Sequence, residues 1–331
     1  MSSTIKTITK QLFEINKSKT NNVSQNDQVL IGTKENKKVF NPLNSLSCNN
    51  PRLYSHFVNL VTSQESIENY TNIQKNIIPT RGNIIDWLLV VADKIKIQQE
   101  TFFKAIMIFD KYLSQLRTEI EDTNKLHFIA VVCFFISYKF EETGVMTLDF
   151  VEEKLLRSKY TKKEIVKQEM EILIALNFRI NFPSVNTFSN IIIEALKGLY
   201  KESNVEQNPL KKANFISKLE CIFNFVNKIS LFGDEFIFGT YGITITLINF
   251  QTTLMLVKDM KIISEESIKD IDTYIKELVK EFVNQKKVEI MASGLYLAIM
   301  NQEKQGCHQN IFQSYYNNIE KIFKQEMVKS F

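Results

Sequence analysis

The side chains best suited to ligate a metal or attack an electrophile are the histidines His56, His127 and His308 and the cysteines Cys48, Cys133, Cys221 and Cys307, and they are scattered over 331 residues. No two cysteines have the short spacing of a zinc ribbon, and no His/Asp cluster of the kind a metallohydrolase uses stands together in the sequence. A site made of carboxylates alone stays open. The expectation is no catalytic residue, no metal and no cofactor. What remains is charge recognition. Arg81 falls near the start of an apolar-periodic segment, where the helix dipole disfavours a cation, so it needs a carboxylate partner. Lys139 closes a strongly apolar segment, and taken alone it reads as a solvated helix cap. Glu169, on a segment otherwise filled with solvated charges, taken alone reads as surface.

The elements that would carry these residues are helices. With 44% hydrophobic residues the chain can bury a large core, and nine Gly and five Pro leave little punctuation for short strands. Residues 1–50, rich in Ser, Thr, Asn, Gln and Lys, read as a disordered tail. Leu53, Phe57, Leu60 and Val61 predict one docked helix in an N-terminal extension over 51–79. Ile84, Leu88, Val91 and Ile95 mark one amphipathic helix, and Phe102, Ile106, Phe109 and Leu113 mark the next. Leu126 to Tyr138 is apolar nearly all round and should be an enclosed central helix. A short helix is expected near Thr147 to Leu156. Thr161 and Glu164 have capping-box spacing for the helix after it, with Val166, Met170, Leu173 and Leu176 as its buried stripe.

Asn177 to Pro183 breaks the pattern, because proline holds Phe182 away from helical geometry. Beyond it, helices are expected at about Val185 to Tyr200, Asn214 to Leu231, Phe236 to Leu256, Glu265 to Val283 and Val288 to Gln302. Phe236 to Val257 carries no charge and is long enough to cross a bilayer, but its Thr, Gly, Asn and Gln favour a helix enclosed by other helices. The most apolar helix is again the third. The architecture predicted is all-α, with two successive five-helix domains over 80–182 and 183–305 and a helical tail over 306–331.

Four blocks carry a family resemblance: Arg81-Gly82-Asn83-Ile84-Ile85-Asp86-Trp87-Leu88, Ile108-Phe109-Asp110-Lys111-Tyr112-Leu113, Ser137-Tyr138-Lys139-Phe140-Glu141-Glu142 and Glu169-Met170-Glu171-Ile172-Leu173. In order and almost in register they resemble the cyclin box, of the mitotic A/B type. The resemblance implies two cyclin folds that position a cyclin-dependent protein kinase and perform no chemistry. It implies that Arg81 pairs with Asp110 as a structural ion pair, and that Lys139 and Glu169 form the pair that hydrogen-bonds the kinase around its C-helix. Their separation is about one residue longer than usual, which is assigned to the loop near Gly144.

Cyclins also recruit substrates through a groove around the first helix of the box, which would here be built from Asn83, Ile84, Trp87, Val90, Leu126 and His127. Asn83, Trp87 and Val90 share a face at helical spacing. The groove departs from the family pattern. Thr80 stands where Met is usual, Asn83 where an aliphatic is usual, Val90 where an acidic residue would meet a docking cation, and His127 where Gln is common. Without that carboxylate, an arginine-containing docking peptide loses its charge-assisted bond. In the tail, Lys34-Glu35-Asn36 followed by Asn41-Pro42 resembles the KEN degron read by the anaphase-promoting complex. In the second half, Ser230-Leu231 with Gly233-Asp234-Glu235-Phe236 resembles the turn before a third helix, while Ala292 to Ala298 also resembles a third-helix core. The register of that half stays open between the two.

Two other functions compete. A cyclin-fold transcription factor binding DNA or polymerase would want a zinc ribbon ahead of the boxes and a basic face. A net charge of +4 with Lys and Glu interspersed points to solvated helix faces instead. A helical metal-dependent phosphohydrolase fits less well for want of ligands. No secretory signal is visible, neither a membrane nor direct nucleic-acid partner is expected, and the compartment expected is nucleus and cytoplasm.

Overall fold

The computed structural model describes residues 51–63, 77–116, 120, 122–202, 209–232, 242–260, 265–279, 282–305 and 311. The tail over 1–50 and most of that over 306–331 lie outside them. Within the described residues every regular element is helical. Helix α1 spans Pro51–Ser63, α2 Ile78–Ile95, α3 Gln99–Gln115, α4 Thr123–Glu141, α5 Leu148–Phe150 and α6 Lys162–Ala175. After these come α7 at Val185–Glu202, α8 at Pro209–Ser230, α9 at Ile243–Asp259, α10 at Glu265–Val279 and α11 at Gln285–Gln305.

Local chemistry sets the boundaries. Pro79 in the first turn of α2 costs no hydrogen bond, and Lys96 ends that helix in the left-handed conformation. Asp122 caps α4, its carboxylate accepting from the Asn124 amide. The capping box expected at Thr161 and Glu164 forms at the start of α6, and the Thr161 amide and hydroxyl, both donating to the Glu164 carboxylate, hold it below its ordinary range. The short helix expected near Thr147 to Leu156 is more irregular. It begins as α5, widens into a π-helical turn over Val151–Leu155 and closes with the Leu156 amide donating to the Val151 carbonyl. Arg157 and Ser158 then take φ of 50° and 56°, which reverses the chain toward α6.

In the first half α4 is enclosed by α2, α3 and α6, with Phe128 to Ser137 buried continuously. The second half repeats the plan, with α9 inside α7, α8, α10 and α11. This settles the register of that half: the third helix is Ile243–Asp259, and the Ala292 to Ala298 stretch belongs to α11, which packs on it. The expected start at Phe236 is corrected to Ile243. Gly242 has φ of 64°, outside helical geometry, and Phe236 itself lies outside the described residues. The threonines of α9 explain how an enclosed helix tolerates them. Thr246, Thr252 and Thr253 each donate to the carbonyl four residues back, at 2.8 Å. No described helix is long and apolar enough to cross a membrane.

The halves are stitched together by side chains from both. Phe57 of α1 is fully buried and meets Phe188 of α7 and Phe282 edge-on, with ring centroids 6.4 and 5.7 Å away. The Glu100 carboxylate in the first turn of α3 accepts from Ser184, Asn186 and Thr187 at the start of α7, at 2.9 to 3.0 Å.

Candidate partner-binding site

Arg81 and Asp110 meet in the core. The guanidinium of Arg81 donates through Nε to Asp110 Oδ1 at 2.6 Å and through Nη2 to Oδ2 at 2.7 Å, with side chains 2% and 0% exposed. A fork on a carboxylate is the geometry arginine offers and lysine cannot. The third arm was not legible in the sequence: Arg81 Nη1 donates to the Leu231 carbonyl, just past α8, at 2.8 Å. One side chain therefore ties α2, α3 and the second half together.

At the other end of the first domain, Lys139 in the last turn of α4 is ion-paired with Glu169 on α6. Lys139 is 42% exposed, and its ammonium also lies over the Phe135 ring. The end of α4 that carries it is braced against α3. Lys104 pairs with Glu141 and sits over the Phe140 ring, the Glu142 carboxylate accepts from the Gln98 amide and the Thr101 hydroxyl, and the Ser137 hydroxyl donates to the Thr101 carbonyl. Lys139 is thus presented from a helix end whose backbone and neighbours are fixed, as a binding group needs to be. Gly144, in the loop after α4, lies close to Tyr138: a Cβ there would come 2.7 Å from the Tyr138 hydroxyl, so that side chain would have to shift to admit one.

Around this pair the expected stripe of α6 needs correction. Val166 and Met170 were expected in the core and are 46% and 48% exposed, while Ile165, Gln168 and Ile172 are buried. The inward polar residue is satisfied, since Gln168 donates to the Tyr112 hydroxyl at 3.3 Å. The helix has two apolar stripes, and periodicity alone does not say which one meets the core. The outer stripe, Val166, Met170 and Ile174, continues into Phe178, which is turned outward by left-handed φ values at Asn177 and Phe178. Exposed Phe140 follows Lys139 in the chain, and exposed Val166 and Met170 lie within one turn of Glu169, so apolar side chains stand beside the ion pair on both helices, a composition that suits a protein interface.

The groove residues divide into floor and rim. Ile84 and Leu126 are buried, Trp87, Val90 and His127 are half-buried, and Asn83 is exposed. The Trp87 and His127 rings lie 4.5 Å apart at 57°. Burial lowers the proton affinity of His127, and Lys159 and Arg157 lower it further. Burial also pushes the Cys133 thiol well above its ordinary value, so it stays protonated and inert. Among the described residues no group of His, Cys, Asp and Glu is placed to hold a metal. Lys34, Glu35 and Asn36 lie outside the described residues.

Comparison with known proteins supplies the family. Residues 52–181 match the cyclin N-terminal domain. Residues 52–181 belong to the family of cyclin N-terminal domains. The chain is 31% identical to Cyclin-A3-3 of Arabidopsis thaliana over 140 residues, which is 42% of this chain and 41% of that protein. It is 30% identical to the G2/mitotic-specific cyclin C13-1 of Daucus carota over 182 residues, which is 54% of this chain and 48% of the carrot protein. The matched region thus spans less than half of each of these relatives. The fold is similar to that of a viral cyclin from herpesvirus saimiri, with a TM-score of 0.52 over 74% of this chain and 95% of the viral chain at 14% identity.

Proposed function

We infer that this chain is a cyclin, a non-catalytic regulatory subunit that binds and activates a cyclin-dependent protein kinase in cell-cycle control. The observation that carries the reading is the Lys139–Glu169 pair set in an exposed apolar surface on a braced helix end. Lys139 and Glu169 would hydrogen-bond the kinase, and Val166, Met170 and Phe140 would bury their exposed area against it. Arg81 and Asp110 hold the elements that present them.

The test is affinity capture of the full chain from native extract, with a histone-kinase assay on the eluate, for wild type and for Lys139→Ala and Glu169→Ala. Each variant should lose kinase, because removing one partner of a desolvated charge pair costs about 2 to 5 kcal/mol at an interface. The thermal midpoint of the free chain should move little, since a pair whose lysine is 42% and glutamate 15% exposed still opens to solvent and such surface pairs contribute about 0 to 1 kcal/mol. Wild-type kinase recovery by the double variant would overturn the assignment. The same reading makes Lys34-Glu35-Asn36 a degron for the anaphase-promoting complex and the compartment nucleus and cytoplasm. Alanine at all three positions should then lengthen the protein's half-life in a synchronised chase as cells leave mitosis, and an unchanged half-life would dismiss the degron.

A further inference from the structure

The second half carries a bonded polar pair at the place in its helix plan where the first half carries Lys139 and Glu169. In the first half Lys139, in the last turn of α4, pairs with Glu169 on α6. In the second, Asp259 ends α9, and its carboxylate accepts from the hydroxyl of Tyr296 on α11. The registers of the two partner helices agree. Glu169 stands four residues after buried Ile165, one after Gln168 and three before Ile172, and Tyr296 stands four after buried Ala292, one after Leu295 and three before Ile299. The next residue repeats too. Phe140 and Met170, which follow Lys139 and Glu169, are exposed, and so are Met260 and Leu297, which follow Asp259 and Tyr296. An exposed apolar side chain thus stands beside the bonded pair on each helix, in the second half as in the first. This parallel is internal to the chain and does not depend on what the first surface binds.

The chemistry of the pair is changed. Where the first surface offers an ammonium, the second offers a carboxylate. The bond to Asp259 raises the pKa of the Tyr296 phenol, which keeps it a neutral donor, and a carboxylate that accepts one bond has room for more. Lys258, the neighbour of Asp259, is paired with Glu265 at 3.2 Å. From 258 to 266 the sequence holds Lys258 and Lys261 against Asp259, Glu265 and Glu266, two cations against three acids, so this corner is acidic by one charge. Its apolar part is small. One turn to either side of Leu297 stand Ser293 and Asn301, where α6 has Val166 and Ile174. A surface with so few apolar anchors suits a short segment and not a broad interface.

We propose that this corner of the second half docks a short segment of a partner protein that carries an arginine or lysine beside an apolar side chain. The cation donates to the Asp259 carboxylate, and the apolar side chain covers Met260 and Leu297. Arginine fits better than lysine, because its planar fork can hold a carboxylate that already serves a hydroxyl. A segment with glutamate at that position meets like charge and is disfavoured. The segment is bound by α9 and α11, whereas Lys139 and Glu169 stand on α4 and α6, so the two surfaces use separate helices.

The test uses the full chain without kinase, so its outcome is separate from that of the regulatory-subunit reading. Three fluorescein-labelled peptides share one leucine-containing sequence and carry Arg, Ala or Glu beside the leucine, and their anisotropy is followed as the chain is titrated in. The Arg peptide should bind about tenfold or more tighter than the Glu peptide, with Ala between them and a margin that narrows as salt rises. Asp259→Asn keeps an acceptor for the Tyr296 hydroxyl and removes the charge, so it should erase the preference, and Asp259→Lys should reverse it. Leu297→Asp should weaken the Arg peptide by about tenfold or more, while Met170→Asp, on the first surface, should bind it as wild type does. The proposal fails if the Arg and Glu peptides bind alike, if Asp259→Asn leaves the ranking unchanged, if Leu297→Asp holds the Arg peptide as tightly as wild type, or if no peptide responds up to millimolar concentration. A wild-type dimer that Leu297→Asp dissociates would give the surface to a second copy of the chain and overturn the proposal as well.

Discussion

His127 joins packing to charge in a single side chain. It is half-buried against Trp87, and its proton affinity is lowered first by burial and then by Lys159 and Arg157. Its folded value therefore lies below the ordinary 6.5, and between the two the unfolded chain binds more protons than the folded one. Stability should consequently rise with pH through that window, being fully present above about pH 6.5 and lost as pH falls through the lowered folded value. Replacing His127 with Gln should flatten that part of the curve. The measurement is the thermal midpoint of wild type and variant from about pH 8 to about pH 5. Curves that remain parallel throughout would show that His127 keeps its ordinary affinity in the folded chain.

Helix α6 shows what a helical pattern conveys and what it leaves out. The capping box at Thr161 and Glu164 was legible, because its two bonds depend only on residues three apart. The enclosed helices were legible because a polar face is missing from each, and the Arg81–Asp110 and Lys139–Glu169 pairs were legible through the order of the family blocks. The inward face of α6 was not. Ile165, Ile172 and Leu176 repeat as regularly as Val166, Met170 and Ile174, and phase alone does not separate a core-facing stripe from a partner-facing one. A helix with two apolar stripes and a carboxylate between them is the signal that was available. The bonds from Ser184, Asn186 and Thr187 to Glu100 were illegible for a different reason: they join residues more than 80 positions apart, and no local rule relates them. The two stripes make a sharp prediction. Met170→Asp should weaken kinase capture by about tenfold or more, as loss of an apolar anchor at the centre of an interface does. The thermal midpoint should stay within the range of about 0.5 kcal/mol expected of an exposed position. A large fall in the midpoint would place the outer stripe in the core.

At the scale of the molecule, the two halves are not independent beads. Phe57 inserts from the N-terminal extension against α7, Glu100 gathers the start of α7, and Arg81 reaches the carbonyl of Leu231. Arg81→Ala or Asp110→Ala should each destabilise the chain by about 3 to 5 kcal/mol, because each leaves a buried charge uncompensated. A double-mutant cycle on chemical unfolding should show strong coupling between them, and additive effects would remove the pair as a determinant of stability. The link to Leu231 also has a consequence for synthesis. The acceptor lies 150 residues after Arg81, and at about 5 to 20 residues per second the ribosome needs roughly 8 to 30 seconds to deliver it. The helices up to α6 are all made before Leu231 is, so through that interval one guanidinium donor of Arg81 lacks its carbonyl, and until α7 follows Phe57 lacks Phe188. A nascent first half is thus a different species from the finished one, and a chaperone that reaches it early meets a surface the mature protein no longer has.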